Sequence, residues 1–275
     1  MAKKKTGICK LTGKTGKFID AHLIPKALTK PDVPGAPIIQ YGAGGRPKKK
    51  WSSWKDDELV VQDGENILTE SDTWAIPTLR RHQLVWSAWR RGMLDADDWT
   101  RMPGTNVGIR KIEGIDTRRL RLFFLSLLWR AAATSREGFD VVQLPPPDLE
   151  ALGQMLVSKK IEPLTFYPIE LIQLSTLGTI HNHTPIMQTK KLPDFGQARL
   201  EVPIFRFYFD GLIAHIHRRP FDDEAVKKLG PLILGNDDKV VVTTVTYETS
   251  FQRETLNMLQ ARVEVEHPEF MRKFR

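Results

Sequence analysis

The chain is poor in cysteine, in long apolar runs and, over its first fifty residues, in negative charge. Each shortage excludes something. A single cysteine, Cys9, stands among 275 residues, so no internal disulfide staples the fold, and this usage fits a reducing compartment. The longest apolar stretch, Leu122–Trp129, is interrupted by Ser126 and falls well short of the ~20 residues that span a bilayer. The opening MAKKK has no apolar segment behind it, which predicts no secretory signal. A cytoplasmic protein without a membrane partner is the expectation. Phosphate-binding G-x-x-x-x-G-K-[ST] and G-x-G-x-x-G turns and a G-x-S-x-G elbow are all missing, and the glycine-rich Gly42–Arg46 has no strand and helix around it.

What is present is a basic start on a near-neutral body. Residues 1–50 hold twelve Lys/Arg and two Asp, while the other 225 hold 29 basic and 31 acidic residues. Such a segment reads as an electrostatic footprint for phosphates, or as a solvated arm that aids solubility. It ends in Arg46, Lys48, Lys49, Lys50, Trp51 and Trp54, where cations beside indoles suit phosphates and base stacking; the alternative is that both indoles anchor a core. Six of the seven tryptophans lie between 51 and 99. That region buries much aromatic surface or presents some of it. Apolar residues at 41% and charged residues at 27% are ordinary for a folded globular chain, long enough for one large domain or a small module joined to a larger one.

Local signals place the elements. Ile8–Leu11 and Phe18–Leu23 flank the turn-forming Thr12–Gly16, which predicts a hairpin. Pro25 opens a short helical stretch through Leu28, and residues 31–58 read as loop. Ile76, Leu79, Leu84, Val85 and Trp89 recur near helical spacing opposite Arg80, Arg81, Arg90 and Arg91, so a helix is expected over 74–92. Asp116 is a suitable N-cap for a helix over about 117–133 whose apolar centre marks it as buried. Pro145–Pro147 lead into a helix ending near Lys160. Strands are expected at Ile169–Leu174, at Ile204–Phe209 and Leu212–His217 around the turn pair Asp210-Gly211, and at Val240–Tyr247. Thr249-x-x-Gln252 fits a capping box for a last helix to about 266.

The stretch from Cys9 to Leu28 contains Ala-His-Leu-Ile-Pro (Ala21–Pro25) behind that hairpin. It resembles the opening of HNH (ββα-metal) nucleases and related treble-clef proteins, where a C-x-x-C knuckle precedes a strand ending in an acidic or polar residue, His, two apolar residues and Pro. One bacterial group of such proteins carries a second knuckle, L-C-x-x-C-E, another acid seven residues after the Glu, and an apolar helix like F-F-L-S-L-L-W-R. Val60–Glu65, Asp72 and Phe123–Arg130 match those blocks, so the likeness covers roughly residues 7–135. The resemblance implies that His22 is the general base that deprotonates a water, that Asp20, Glu65 and Asp72 are the candidates for a divalent metal (Mg or Mn), with His82 an outsider, and that the substrate is DNA. Mobile-element or anti-phage roles belong to the same resemblance. The departures are that only Cys9 remains of four knuckle cysteines, Thr12, Val61 and Gly64 standing at the others, and that Ala21 precedes the base. No structural zinc is expected, since these residues do not ligate it as thiolates do. The plainer readings are a hydrogen-bonded histidine at a strand end, helix-start or surface acids, and Cys9 as a buried small hydrophobe.

A second group lies further on. His215 and His217 are two apart on an expected strand and share a face, with Arg206 on the partner strand: a phosphate- or metal-binding face, or a structural one. His181-Asn182-His183 spells the family letters by coincidence. The fold class expected is α+β: an N-terminal ββα-like hairpin-helix module, central buried helices, and a C-terminal antiparallel sheet with a final helix. Its parts are 1–115 and 116–275, or one continuous domain. The leading expectation is a metal-dependent, HNH-like endonuclease, with Lys3, Lys4, Lys5, Lys14, Lys17, Lys26, Arg46, Lys48, Lys49 and Lys50 holding phosphates. The alternative is a non-catalytic nucleic-acid-binding or interaction protein on the same scaffold, and a third is an assembly protein using the tryptophan-rich region.

Overall fold

The computed structural model describes residues 5–29, 38–40, 47–89, 94, 99–191 and 201–272. Lys3, Lys4, Arg46, Arg90 and Arg91 lie outside them. The expected hairpin is present, formed by β1 (Thr6–Ile8) and β2 (Thr15–Lys17). Its turn is closed by the Cys9 and Gly13 N–H groups donating to Lys14 O and Cys9 O, both at 2.9 Å. Its strands are shorter than expected, because the chain after β2 leaves to make a separate strand, β3 (Ala21–His22). A single helical turn, Lys26–Leu28, follows Pro25. The stretch expected as loop contains β4 (Ile38–Gln40), β5 (Lys48–Lys50) and β6 (Lys55–Asp56). β4 pairs with β5, and β6 pairs antiparallel with β3.

Helix α1 (Gln62–Arg81) departs most from expectation: it begins at Gln62, not 74, and stops at His82, not 92. Its first turns are too polar to show an apolar stripe, but Asp63 and Glu65 stand in the first turn, where the helix dipole favours acids. It ends because Gln83 takes φ 51°, a left-handed conformation that stops a helix. Among the described residues of that stretch a single turn at Trp86–Ala88 follows.

The rest runs β7 (Thr100–Arg101), β8 (Val107–Ile112), α2 (Thr117–Ala133), α3 (Pro146–Ser158), β9 (Ile169–Leu174), β10 (Ile186–Lys191), β11 (Glu201–Phe209), β12 (Leu212–His217), α4 (Asp223–Leu229), β13 (Val240–Val245), α5 (Phe251–Glu266) and α6 (Pro268–Met271). Asp116 caps α2 as expected, accepting from Arg119 N–H at 2.9 Å. The sheet has seven strands in the order β10-β11-β12-β9-β13-β8-β7. It is antiparallel except for the parallel β13–β9 pair, and takes two strands from ahead of residue 116. The fold is therefore α+β. Phe205, Phe207, Phe209, Ala214 and Ile216 belong to one buried core with Cys9, Trp54, α1, α2 and α3, and Phe209 stacks on Phe124 of α2 at 6.0 Å. Asp210 and Gly211, at φ 52° and 83°, make the tight turn their sequence demands. The last helix is capped by Ser250, one residue after the expected Thr249: its Oγ accepts from Arg253 N–H at 3.3 Å. Among the described residues no helix is long and apolar enough to cross a membrane.

Candidate functional site

Three elements meet around His22. Pairing of β3 with β6 sets His22 opposite Lys55, and directly opposed residues of an antiparallel pair share a face. Glu65 and Asp72 lie seven apart on α1, hence on one side of the helix. Arg130, near the end of α2, ties β3 to α1. Its guanidinium grips Asp72 through two hydrogen bonds, at 2.7 and 3.0 Å, and donates to His22 O at 3.2 Å and Leu68 O at 3.3 Å. The Arg130 side chain is 1% exposed and that of Asp72 19%. Burial, then the cations Lys55 and Arg130, lower the His22 pKa, so the imidazole is neutral at pH 7. Its Nε2 is buried without a hydrogen-bond partner among the described residues. Burial raises the Glu65 pKa, and Thr69 Oγ1 donates to its carboxylate at 3.4 Å.

The divalent metal implied by the resemblance needs several oxygen or nitrogen donors converging on one point. These residues do not fit it. Both Asp72 oxygens accept hydrogen bonds from Arg130, so the acid expected as a metal ligand is engaged in an ion pair. Asp20 is exposed ahead of β3. His82 caps the far end of α1, about 25 Å along the helix from Glu65 at 1.5 Å per residue. Among the described residues no group of three His, Cys, Asp or Glu side chains is placed to hold a metal ion.

Ahead of α1, the hairpin packs on the helix start. Lys10 N–H donates to Leu59 O and Ile19 N–H to Val60 O, both at 3.0 Å. Cys9 is buried, and a Cβ added at Gly64 would stand 2.7 Å from its Sγ. Leu11, Val60 and Val61 are buried there as well. Two positions at which the resemblance places knuckle cysteines are thus neighbours, filled by a thiol and a bare backbone.

The expected phosphate-binding lysines divide. Lys5 pairs with Glu58, Lys14 with Asp63 at 2.7 Å and Lys48 with Glu137 at 3.5 Å. These pairs are exposed, and such pairs contribute only ~0–1 kcal/mol each, so a phosphate competes with them readily. Lys17, Lys26, Lys49 and Lys50 are exposed. The two tryptophans at the end of the basic segment take opposite roles. Trp54 is buried edge-on against Phe139 at 6.3 Å, whereas Trp51 is 72% exposed. A groove of about 550 Å³ runs past Trp51 between Lys48, Lys50 and Lys55 on one side and Ser135, Arg136 and Glu137 on the other.

The C-terminal histidines share a face with Arg206, as expected from their spacing: His215 lies opposite Arg206 on β11 and Glu170 on β9. That face is buried, and it is bonded only in part: Arg206 Nε, His215 Nδ1 and His217 Nδ1 have no hydrogen-bond partner among the described residues. His217 Nε2 and Lys190 Nζ both engage Glu170, at 2.7 and 2.5 Å, and Arg206 donates to Gln188 and to Thr255 of α5. His181 and His183 stack on Tyr208, and Gln252 reaches both at 2.7 Å. These contacts hold α5 on the sheet, and the face expected to take phosphate or metal is closed by burial.

Arg130 and Lys55 are the residues sequence reasoning missed. An arginine directly after the apolar centre of α2 was itself a signal, because a buried cation requires an acid partner. Lys55 carried no such signal. Comparison with family models, curated proteins and solved structures gives no significant match for this chain.

Proposed function

We propose that the chain binds nucleic acid through a degenerate HNH-like module and without a metal centre. Support for the module comes from β3, β6 and α1, which form a ββα unit with His22 on its first strand and Glu65 in the first turn of its helix, and from the contact of Cys9 with Gly64. The single observation that carries the binding reading is the strand pairing that sets the exposed Lys55 opposite His22, with the exposed Lys26 also acting on that imidazole, while Arg130 neutralises Asp72. A backbone phosphate fits such a field. Binding of a fluorescent oligonucleotide, followed by anisotropy from low to high salt, tests it. Affinity should fall steeply with salt, and Lys55→Ala should flatten the slope by about one. No binding at low salt sinks the reading.

A second reading is supported by the neutral imidazole of His22 and the half-buried Glu65, which share Lys55, Arg130 and Asp72 as charged neighbours: phosphodiester hydrolysis with His22 as base. Nicking of plasmid in Mg²⁺ or Mn²⁺ that disappears in His22→Ala would establish it over the first. Salt-sensitive binding with intact plasmid leaves binding alone.

A further inference from the structure

We propose that the groove beside Trp51 takes an unpaired nucleotide, with its base stacked on the indole and its phosphates on Lys50 and Lys55, so that the protein prefers single-stranded nucleic acid; this rests on the binding reading above. Trp51 is 72% exposed while Trp54, three residues on, is buried. An indole left in water in a groove lined by cations has the make-up of a stacking platform, since base–aromatic stacking needs only a free π-face. A paired base has no such face to give: both its sides are already stacked in the duplex, and only its edges reach the grooves. Size agrees. The groove holds about 550 Å³, within the ~300–1,000 Å³ of small-ligand pockets, so it suits one nucleotide and not a helix.

The charges agree as well. Arg136 is tied to Asp57 and approaches Asp56 at 3.8 Å, and Lys48 faces Glu137. Lys50 and Lys55 stay on the strand side of the indole, and both are exposed. Lys55 is also the residue opposite His22. Lys55 thus lines the groove and is the cross-strand partner of His22, so a strand stacked on Trp51 would place a phosphate on the residue opposite His22.

The test is anisotropy titration with a dT oligonucleotide, an rU oligonucleotide, a duplex of equal length, and a dT strand carrying abasic sites. Wild type should bind both single strands at least about tenfold tighter than the duplex. Trp51→Ala should weaken single-strand binding by about ten- to a hundredfold, as expected for one lost stacked base. Trp51→Phe should keep most of it. The abasic strand should bind wild type as weakly as the intact strand binds Trp51→Ala. An unchanged melting temperature in Trp51→Ala is expected at so exposed a site. Duplex binding as tight as single-strand binding, or no effect of Trp51→Ala, overturns this inference and leaves the binding reading standing. Absence of salt-sensitive binding to every probe overturns both.

Discussion

Arg130 is the residue on which the His22 centre turns. Its head group serves five acceptors on three elements: two oxygens of Asp72, the carbonyls of His22 and Leu68, and Ser126 Oγ. A buried cation stripped of its counter-charge is costly, ~3–5 kcal/mol when one partner of a buried pair is removed. Asp72→Ala should destabilise by about 3 kcal/mol, the low end of that range, because Asp72 keeps some contact with water. Urea unfolding measures this, and an unchanged midpoint would mean that the pair does not hold β3, α1 and α2 together. The same pair engages the acid placed seven residues after Glu65, giving each of its oxygens a hydrogen bond from Arg130.

At the scale of elements, two glycines mark where backbones approach too closely for a side chain. Gly64, in the first turn of α1, lies against Cys9 Sγ and Val60. Gly64→Ala gains up to ~1 kcal/mol of helix propensity but overpacks the site at ~1–3 kcal/mol, so a net loss is expected in thermal melts. Cys9→Ala in the same chain should recover part of it, and a gain from Gly64→Ala alone would refute the packing. In the β11–β12 turn, Gly211 has φ 83° and a Cβ there would stand 2.5 Å from the Trp86 ring. Gly211→Ala combines left-handed strain, of order 1 kcal/mol, with that clash. It should destabilise more than Gly64→Ala in the same assay.

At the scale of the whole molecule, the buried polar face under α5 sets the response to acid. Burial holds His183 down to about 4 and His215 down to about 3, against about 6.5 for an unfolded histidine. Above pH 6.5 both states are neutral and these groups contribute no pH dependence. Below it the unfolded chain takes up protons that the folded chain refuses, so stability falls by about 1.4 kcal/mol per pH unit for each histidine until the folded value is reached. Glu170 adds to the loss at lower pH. Burial raises its pKa, but the hydrogen bond from His217 and the charge of Lys190 outweigh this and bring it down to about 2. Urea midpoints at pH 7, 6 and 5 should drop progressively, whereas a flat profile would show that the face is hydrated and open.

Elements with a local cause were legible in advance. The α2 boundaries followed from Asp116 and the apolar run behind it, β9 and β12 from alternation and apolar content, and the turn between β11 and β12 from Asp210-Gly211, because cap, period and turn chemistry act within a few residues. The first half of α1 was not legible. Its polar opening is held by Cys9, by the hairpin and by Arg130, the last 58 residues away in sequence. The site divides in the same way. His22, Glu65, Asp72, Trp51 and the lysines were visible as residue types, and the charge run alone pointed to phosphates. Only the tertiary structure decided that Asp72 is locked by Arg130, that Trp54 is core while Trp51 faces water, and that Lys55 stands opposite His22. The sequence by itself determined the elements with a local cause and the charges the chain carries, since those depend on neighbours along the chain. Which charges are spent inside the molecule and which are left for a ligand depended on pairings across strands and helices, where sequence distance carries no information about contact.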